Sequence, residues 1–155
     1  MEARVIKYQD TRLFKWIIIP MLIVIVFLIL SYEFQWGDTP IPLMATVLST
    51  LALFIVILLF YKLTIRIDEK SISAAFGIGL IKKTILLNNL EFSSIEEIKT
   101  PWYYGIGLRI TPQGILYNTK PGSAIKLKST IGGKTVLIGT DDFQKIKKIL
   151  NELKS

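Results

Sequence analysis

The sequence has no cysteine and no histidine. Without thiols there is no disulfide, no thiolate metal site and no cysteine nucleophile. Without imidazole the commonest general base and metal ligand is missing too. Acidic residues are also scarce, twelve against nineteen Lys and Arg, which leaves a formal charge of +7 over 155 residues. No catalytic residue, metal site or cofactor is expected from such a set, and the length accommodates one membrane element and one modest domain rather than a large enzyme. A cysteine-free chain is compatible with a reducing compartment without assigning one. What the chain has in excess is apolar residues, at 51%. Its mean hydropathy is +0.48, and the excess is concentrated in the first part of the chain.

Two stretches carry that excess. Residues 16–32, WIIIPMLIVIVFLILSY, hold no ionisable group, and as a helix they would cover roughly 25 Å, nearly the thickness of a hydrocarbon core. Pro20 falls early in the stretch, where a missing N–H costs least. Residues 42–61, PLMATVLSTLALFIVILLFY, are long enough to span comfortably. Two buried helices of a soluble fold would have to run uncharged side by side with no polar face, which helices in water seldom do. A cleaved signal peptide is not expected either, because SYEFQWGD offers no small-x-small cleavage site. The expectation is a transmembrane hairpin within residues 1–61, preceded by a short cytoplasmic arm, with a cytoplasmic domain over 62–155.

The flanking charges set the orientation. Arg4, Lys7, Arg12 and Lys15 precede the first span, and Lys62, Arg66 and Lys70 follow the second. The loop between them carries Glu33 and Asp38 and no basic residue. By the positive-inside rule both termini are expected in the cytoplasm, at a plasma (inner) membrane. Trp16, Tyr32, Trp36 and Tyr61 stand near the span ends, where amphipathic rings favour the headgroup region.

After Tyr61 continuous apolarity gives way to alternation: Leu63, Ile65 and Ile67 on one side, Lys62, Thr64, Arg66 and Asp68 on the other. That period of two predicts a half-buried strand, followed after Asp68-Glu69-Lys70 by a second one through Ile72, Ala74 and Phe76. Further strands are predicted over 81–87, 92–100, 105–111, 114–119, 124–130 and 135–140, with Gly and Pro marking the turns. Phe143, Ile146, Leu150 and Leu153 recur at helical spacing, which predicts an amphipathic C-terminal helix over 141–154, capped by Thr140 or Asp141.

The stretch from Trp102 to Leu150 resembles a family of bacterial pleckstrin-homology-like proteins. The resemblance rests on an aromatic-Gly-x-Gly-Leu-Arg strand ending at Arg109, a Gly-aliphatic-aliphatic-Tyr strand ending at Tyr117 and an Ile-Gly-Thr-Asp helix start ending at Asp141. It extends over about the last 95 residues and implies a pleckstrin-homology-like antiparallel β-barrel or sandwich, closed by the C-terminal helix and carried on a two-helix anchor. It implies a fold rather than an activity and transfers no catalytic residue.

Other motifs are weak. Gly132-Gly133-Lys134-Thr135 resembles the end of a phosphate-binding loop, but Lys128 stands where the first Gly is needed and no helix follows, so a hairpin turn is favoured. Glu96-Glu97 would point to opposite faces of a strand and do not form an acid/base couple. Trp102, Tyr103 and Tyr104 form a cluster with two readings, a partner groove or membrane-dipping tip on one side and a cap on the core on the other. From Lys62 onward fifteen Lys and Arg stand against eight Asp and Glu. Lys82, Lys83, Lys126, Lys128, Lys145, Lys147 and Lys148 are the main basic clusters, suited to an anionic leaflet or to positive-inside topology alone. The absence of a helix-turn-helix, zinc or RNA-reading motif argues against a nucleic-acid partner.

The functional expectation is a non-enzymatic, membrane-anchored interaction module that binds protein partners or anionic lipid headgroups. An alternative is an accessory or immunity-type subunit of a membrane complex, whose spans pack against another protein through Ala45, Thr46, Ser49, Thr50 and Ala52, and a third, less favoured, is a membrane-surface enzyme; a homo-oligomer is compatible with the first two.

Overall fold

The computed structural model describes residues 5–154, so Arg4 of the basic flank lies outside the described residues. Residues that the sequence reading leaves as an arm form a strand, β1 (Ile6–Leu13). Two helices follow, α1 (Lys15–Glu33) and α2 (Leu43–Phe60). Both are long and apolar enough to cross a membrane. Only Ser31 of α1 and Thr46 of α2 are buried, so the pair is not the core of a water-soluble fold. Pro20 lies inside α1, where it removes one backbone bond without ending the helix. Gln35, at φ +51°, turns the chain beyond α1, and Pro42 opens α2.

Eight strands follow α2. They are β2 (Lys62–Asp68), β3 (Ser71–Phe76), β4 (Ile81–Leu86), β5 (Glu96–Thr100), β6 (Gly107–Thr111), β7 (Gly114–Asn118), β8 (Gly122–Lys128) and β9 (Thr135–Gly139), before α3 (Phe143–Glu152). The first four strands form an antiparallel sheet in chain order. The β2–β3 turn is tied by Asp68, whose carboxylate accepts the N–H groups of Lys70 (2.9 Å) and Ser71 (2.6 Å). The remaining five strands form a second sheet in the order β5-β8-β9-β7-β6, in which β9 runs parallel to β7 and antiparallel to β8.

Of the expected antiparallel barrel or sandwich closed by a C-terminal helix, the sheets and the helix are present, but the two sheets are separate and do not close into a barrel. Closure requires the edges of two sheets to pair along their length. Among the described residues the backbone joins the sheets only by a bridge between Leu90 and Ser129 and by short links beside it, such as Glu91 N–H to the Lys128 carbonyl at 3.0 Å. The parallel β7–β9 pair also departs from an all-antiparallel plan.

The inner faces of the two sheets and one face of α3 enclose the core. Ile65, Ile72, Phe76, Ile125, Ile138 and Ile146 are each almost wholly excluded from solvent. α3 begins two residues later than its periodicity predicts. Asp142 takes the N-cap position without a side-chain cap, because its carboxylate is engaged by the Tyr8 hydroxyl, while Thr140 Oγ1 accepts the Asp142 N–H.

β1 and β2 pair in register from Leu13↔Lys62 outward, and the Phe14 N–H continues the ladder to the Tyr61 carbonyl at 2.8 Å. The two apolar helices are therefore inserted between paired strands. Phe14, fully buried at this junction, stacks on Phe76 (6.4 Å between centroids), and Phe76 also meets Phe60 and Tyr117.

Candidate functional site: the helix-proximal rim of the domain

The turn between β3 and β4 is fastened to the last turn of α2. The Ile78 N–H bonds to the Leu58 carbonyl at 3.2 Å, and Gly77 N–H to the Lys62 carbonyl at 2.8 Å. Gly77 adopts φ +53°, and its bare α-carbon lies directly against the Leu58 and Leu59 carbonyls, a place that admits no side chain. Beyond this fastening Ile78 and Leu80 project outward, 60% and 74% exposed. They therefore stand at the level of the helix end.

The second sheet presents another apolar tip at the same end. The loop through Trp102, Tyr103 and Tyr104 leads into β6, whose first residue, Gly107, lies beside the Phe14 ring at the foot of α1. The aromatic triplet divides between the two roles read from the sequence. Tyr104 packs on Leu116, Ala124 and Leu137 and covers the outer side of the second sheet. Trp102 and Tyr103 remain 80% and 67% exposed, in edge-to-face contact with each other.

The candidate lysines do not converge. Lys126 stands directly opposite Glu96 and pairs with it, Lys128 pairs with Glu91 at 3.0 Å, and Lys148 reaches Glu152 at 4.0 Å. The Lys128 contact holds the Glu91 carboxyl below its ordinary range. Lys145 and Lys147 lie over the rings of Tyr8 and Phe143. Lys83 borders an opening between the sheets with Asn89 and Lys134. Lys82 alone of the set points to the outer face of the first sheet near the helix end, and there it joins Lys62 and Arg66 in one groove. In the sequence Lys62 and Arg66 stand out only as topology markers, although the alternation of β2 already places both on its solvent side.

A second polar cluster locks β1 to the start of α3. Tyr8 donates to Asp142 Oδ2 (2.9 Å), while Arg12 binds Asp10 (2.7 Å) and Asp141 (2.9 Å), and Lys120 also reaches Asp141 (2.8 Å). Burial and then the Asp142 contact raise the Tyr8 hydroxyl pKa. The Lys120 contact, with help from Arg12, holds the Asp141 carboxyl low against a smaller opposing effect of burial. Burial works against the Arg12 charge, but the bond and field of Asp10 and Asp141 prevail and raise it. These contacts keep Asp141 and Arg12 charged and the Tyr8 hydroxyl protonated, and together they fasten β1 to the start of α3. Among the described residues no group of three or more Asp and Glu is placed to hold a metal ion. Gly132 and Gly133, both at positive φ, form the turn of the antiparallel β8–β9 hairpin, so the phosphate-loop resemblance has no structural counterpart.

No family model matches the chain, and no curated protein or solved structure matches it.

Proposed function

We propose that the chain is a non-enzymatic interaction module anchored in a bacterial plasma membrane, with its termini in the cytoplasm and its β domain resting on the inner leaflet. The observation that carries this reading is the exposure of Trp102 and Tyr103, with Ile78 and Leu80, on the rim nearest the helix ends. Large apolar and indole side chains held at that level gain more from the headgroup region than from water. The β1–β2 pairing supports the same orientation, since strands bonded to one another on either side of a helix hairpin occupy one side of the bilayer. Lys7, Arg12, Lys15, Lys62 and Arg66 then face the cytoplasm, as the positive-inside rule asks. Kinship with pleckstrin-homology-like proteins belongs to the proposal and is supported by the strand series ending in a sealing helix.

Depth-dependent quenching tests the membrane contact. In the full chain carrying Trp16→Phe and Trp36→Phe, Trp102 is the sole indole. In vesicles it is expected to emit blue-shifted and to be quenched by bromines near the headgroups, and emission like that of indole in water, unquenched, refutes the contact. Because the chain lacks Cys, Asp38→Cys and Lys154→Cys report topology directly. An impermeant thiol reagent applied outside should reach the first and not the second.

A second reading, an accessory subunit or homo-oligomer, is favoured by a cleft of about 610 Å³ between α1 and α2, lined by Ile25, Ile29, Val47 and Phe54. Thr50 Oγ1 is buried there without a hydrogen-bond partner. Of the small residues expected to form a packing face, Thr46 and Thr50 turn into this cleft, whereas Ser49 and Ala52 are exposed elsewhere on α2.

A further inference from the structure

The outer face of the first sheet is arranged around Ala75. On one side its cross-strand partner is Thr64, flanked along β2 by Lys62 and Arg66, and on the other side its partner is Lys82. Residues two apart on a strand stand about 6.6 Å apart on one face, and Lys82 lies two strands away at roughly 10 Å. Three cations thus surround a floor of small side chains, Thr64, Ser73 and Ala75, in a groove of about 310 Å³ with no carboxylate in its lining.

None of the three is neutralised. Among the described residues no Asp or Glu forms an ion pair with Lys62, Arg66 or Lys82, in contrast to Lys126 and Lys128. Arg66 is instead held by an uncharged group, donating from Nε (3.1 Å) and Nη2 (2.9 Å) to Gln9 Oε1. That contact fixes the guanidinium plane and leaves Nη1 free to donate. An immobilised guanidinium beside two lysines and two hydroxyls is the donor set for a phosphate.

We propose that this groove seats the phosphate of an anionic lipid headgroup. The proposal rests on the reading that the domain lies against the leaflet, and it names the ligand that leaflet supplies. A lipid is chosen over free phosphate because of where the groove opens. Lys62 directly follows α2, and the groove's rim is the Gly77–Ile78–Gly79 turn bonded to Leu58 in the last turn of that helix. Exposed Ile78 lines that rim, and exposed Leu80 follows in the same turn, so a bound lipid phosphate would have acyl chains and apolar side chains close by. A soluble anion gains nothing from either.

Native mass spectrometry of the full chain in detergent micelles tests this without requiring a leaflet. With phosphatidylglycerol and phosphatidylcholine supplied in equal amounts, the wild type should retain the anionic lipid with a preference of at least about tenfold. Lys62→Gln/Arg66→Gln/Lys82→Gln should abolish the preference. Lys126→Gln/Lys128→Gln/Lys148→Gln, which removes as much charge elsewhere, should keep it. The single exposed change Lys82→Glu gives a second variant that does not depend on the triple variant folding, and it too should lower retention. Excess inorganic phosphate should leave the lipid bound. The proposal is overturned if the groove variants keep the preference, if the distal variant loses it equally, or if inorganic phosphate displaces the lipid. Trp102 quenching in vesicles is a separate readout, so a failure of the groove and a failure of leaflet contact are told apart.

Discussion

Replacing Gly77 by alanine isolates the joint between domain and anchor. A Cβ there would overlap the Leu58 and Leu59 carbonyl oxygens and stand 2.5 Å from the Leu59 carbonyl carbon, where ordinary contact begins at 3.4 Å, so the two backbones must part by at least about 0.9 Å. None of these atoms is the end of a flexible side chain, and forced overpacking of this kind costs roughly 1–3 kcal/mol. The left-handed backbone adds about 1–2 kcal/mol for a residue with a Cβ. The expected loss is therefore about 2–5 kcal/mol, or roughly 4–20 °C in Tm for a chain of this size. Gly79→Ala is the control: its φ is +95° but nothing lies within 4 Å, so only the backbone cost applies. Thermal unfolding of the full chain in micelles, followed by near-UV circular dichroism, compares the two. Hydrogen exchange at the Ile78 amide, which bonds to Leu58, should accelerate in Gly77→Ala. Equal Tm shifts for the two variants, or an unchanged Ile78 amide, would refute the reasoning.

Two further outcomes follow from the core and from the clamp. Phe76→Ala removes a fully buried ring that touches Phe14, Phe60 and Tyr117, and should cost about 3–5 kcal/mol in the same unfolding assay. The Asp141 carboxyl is held below its unfolded value, so its contribution is present above the unfolded pKa and is lost as pH falls through the folded one. Wild type should exceed Asp141→Asn by about 0.5–1 kcal/mol at neutral pH, the two curves converging in acid as the lowered Asp141 carboxyl becomes protonated.

Local patterns were legible wherever burial is one-sided or total. Unbroken apolarity marked α1 and α2, the alternation from Leu63 to Ile67 marked β2, and the spacing of Phe143, Ile146 and Leu150 marked α3. β1 was not legible, because Ile6–Leu13 is an edge strand in which only Tyr8 is buried and five of the other seven places are polar or charged. The β7–β9 pairing was hidden for a different reason: which strands become neighbours depends on chain reversals that no single segment records. The site suffered likewise. Counting adjacent lysines picked out Lys82 with Lys83, Lys145, Lys147 and Lys148 but passed over Lys62 and Arg66, which cross-strand register gathers beside Lys82 in the groove. Exposure also divided the aromatic triplet in a way that composition alone did not, with Tyr104 drawn onto the second sheet and its two neighbours left outside.

The insertion of two helices between β1 and β2 bears on how the molecule is made. β1 is synthesised before its partner β2, which appears only after both helices have been made, so this seam of the sheet cannot form until they are complete. On the proposed topology, a chain in which only one helix crossed the bilayer would leave β1 and β2 on opposite sides, with Phe14 uncovered. Pairing of β1 with β2, and burial of Phe14 at the foot of that seam, are thus tied to the synthesis of both intervening helices.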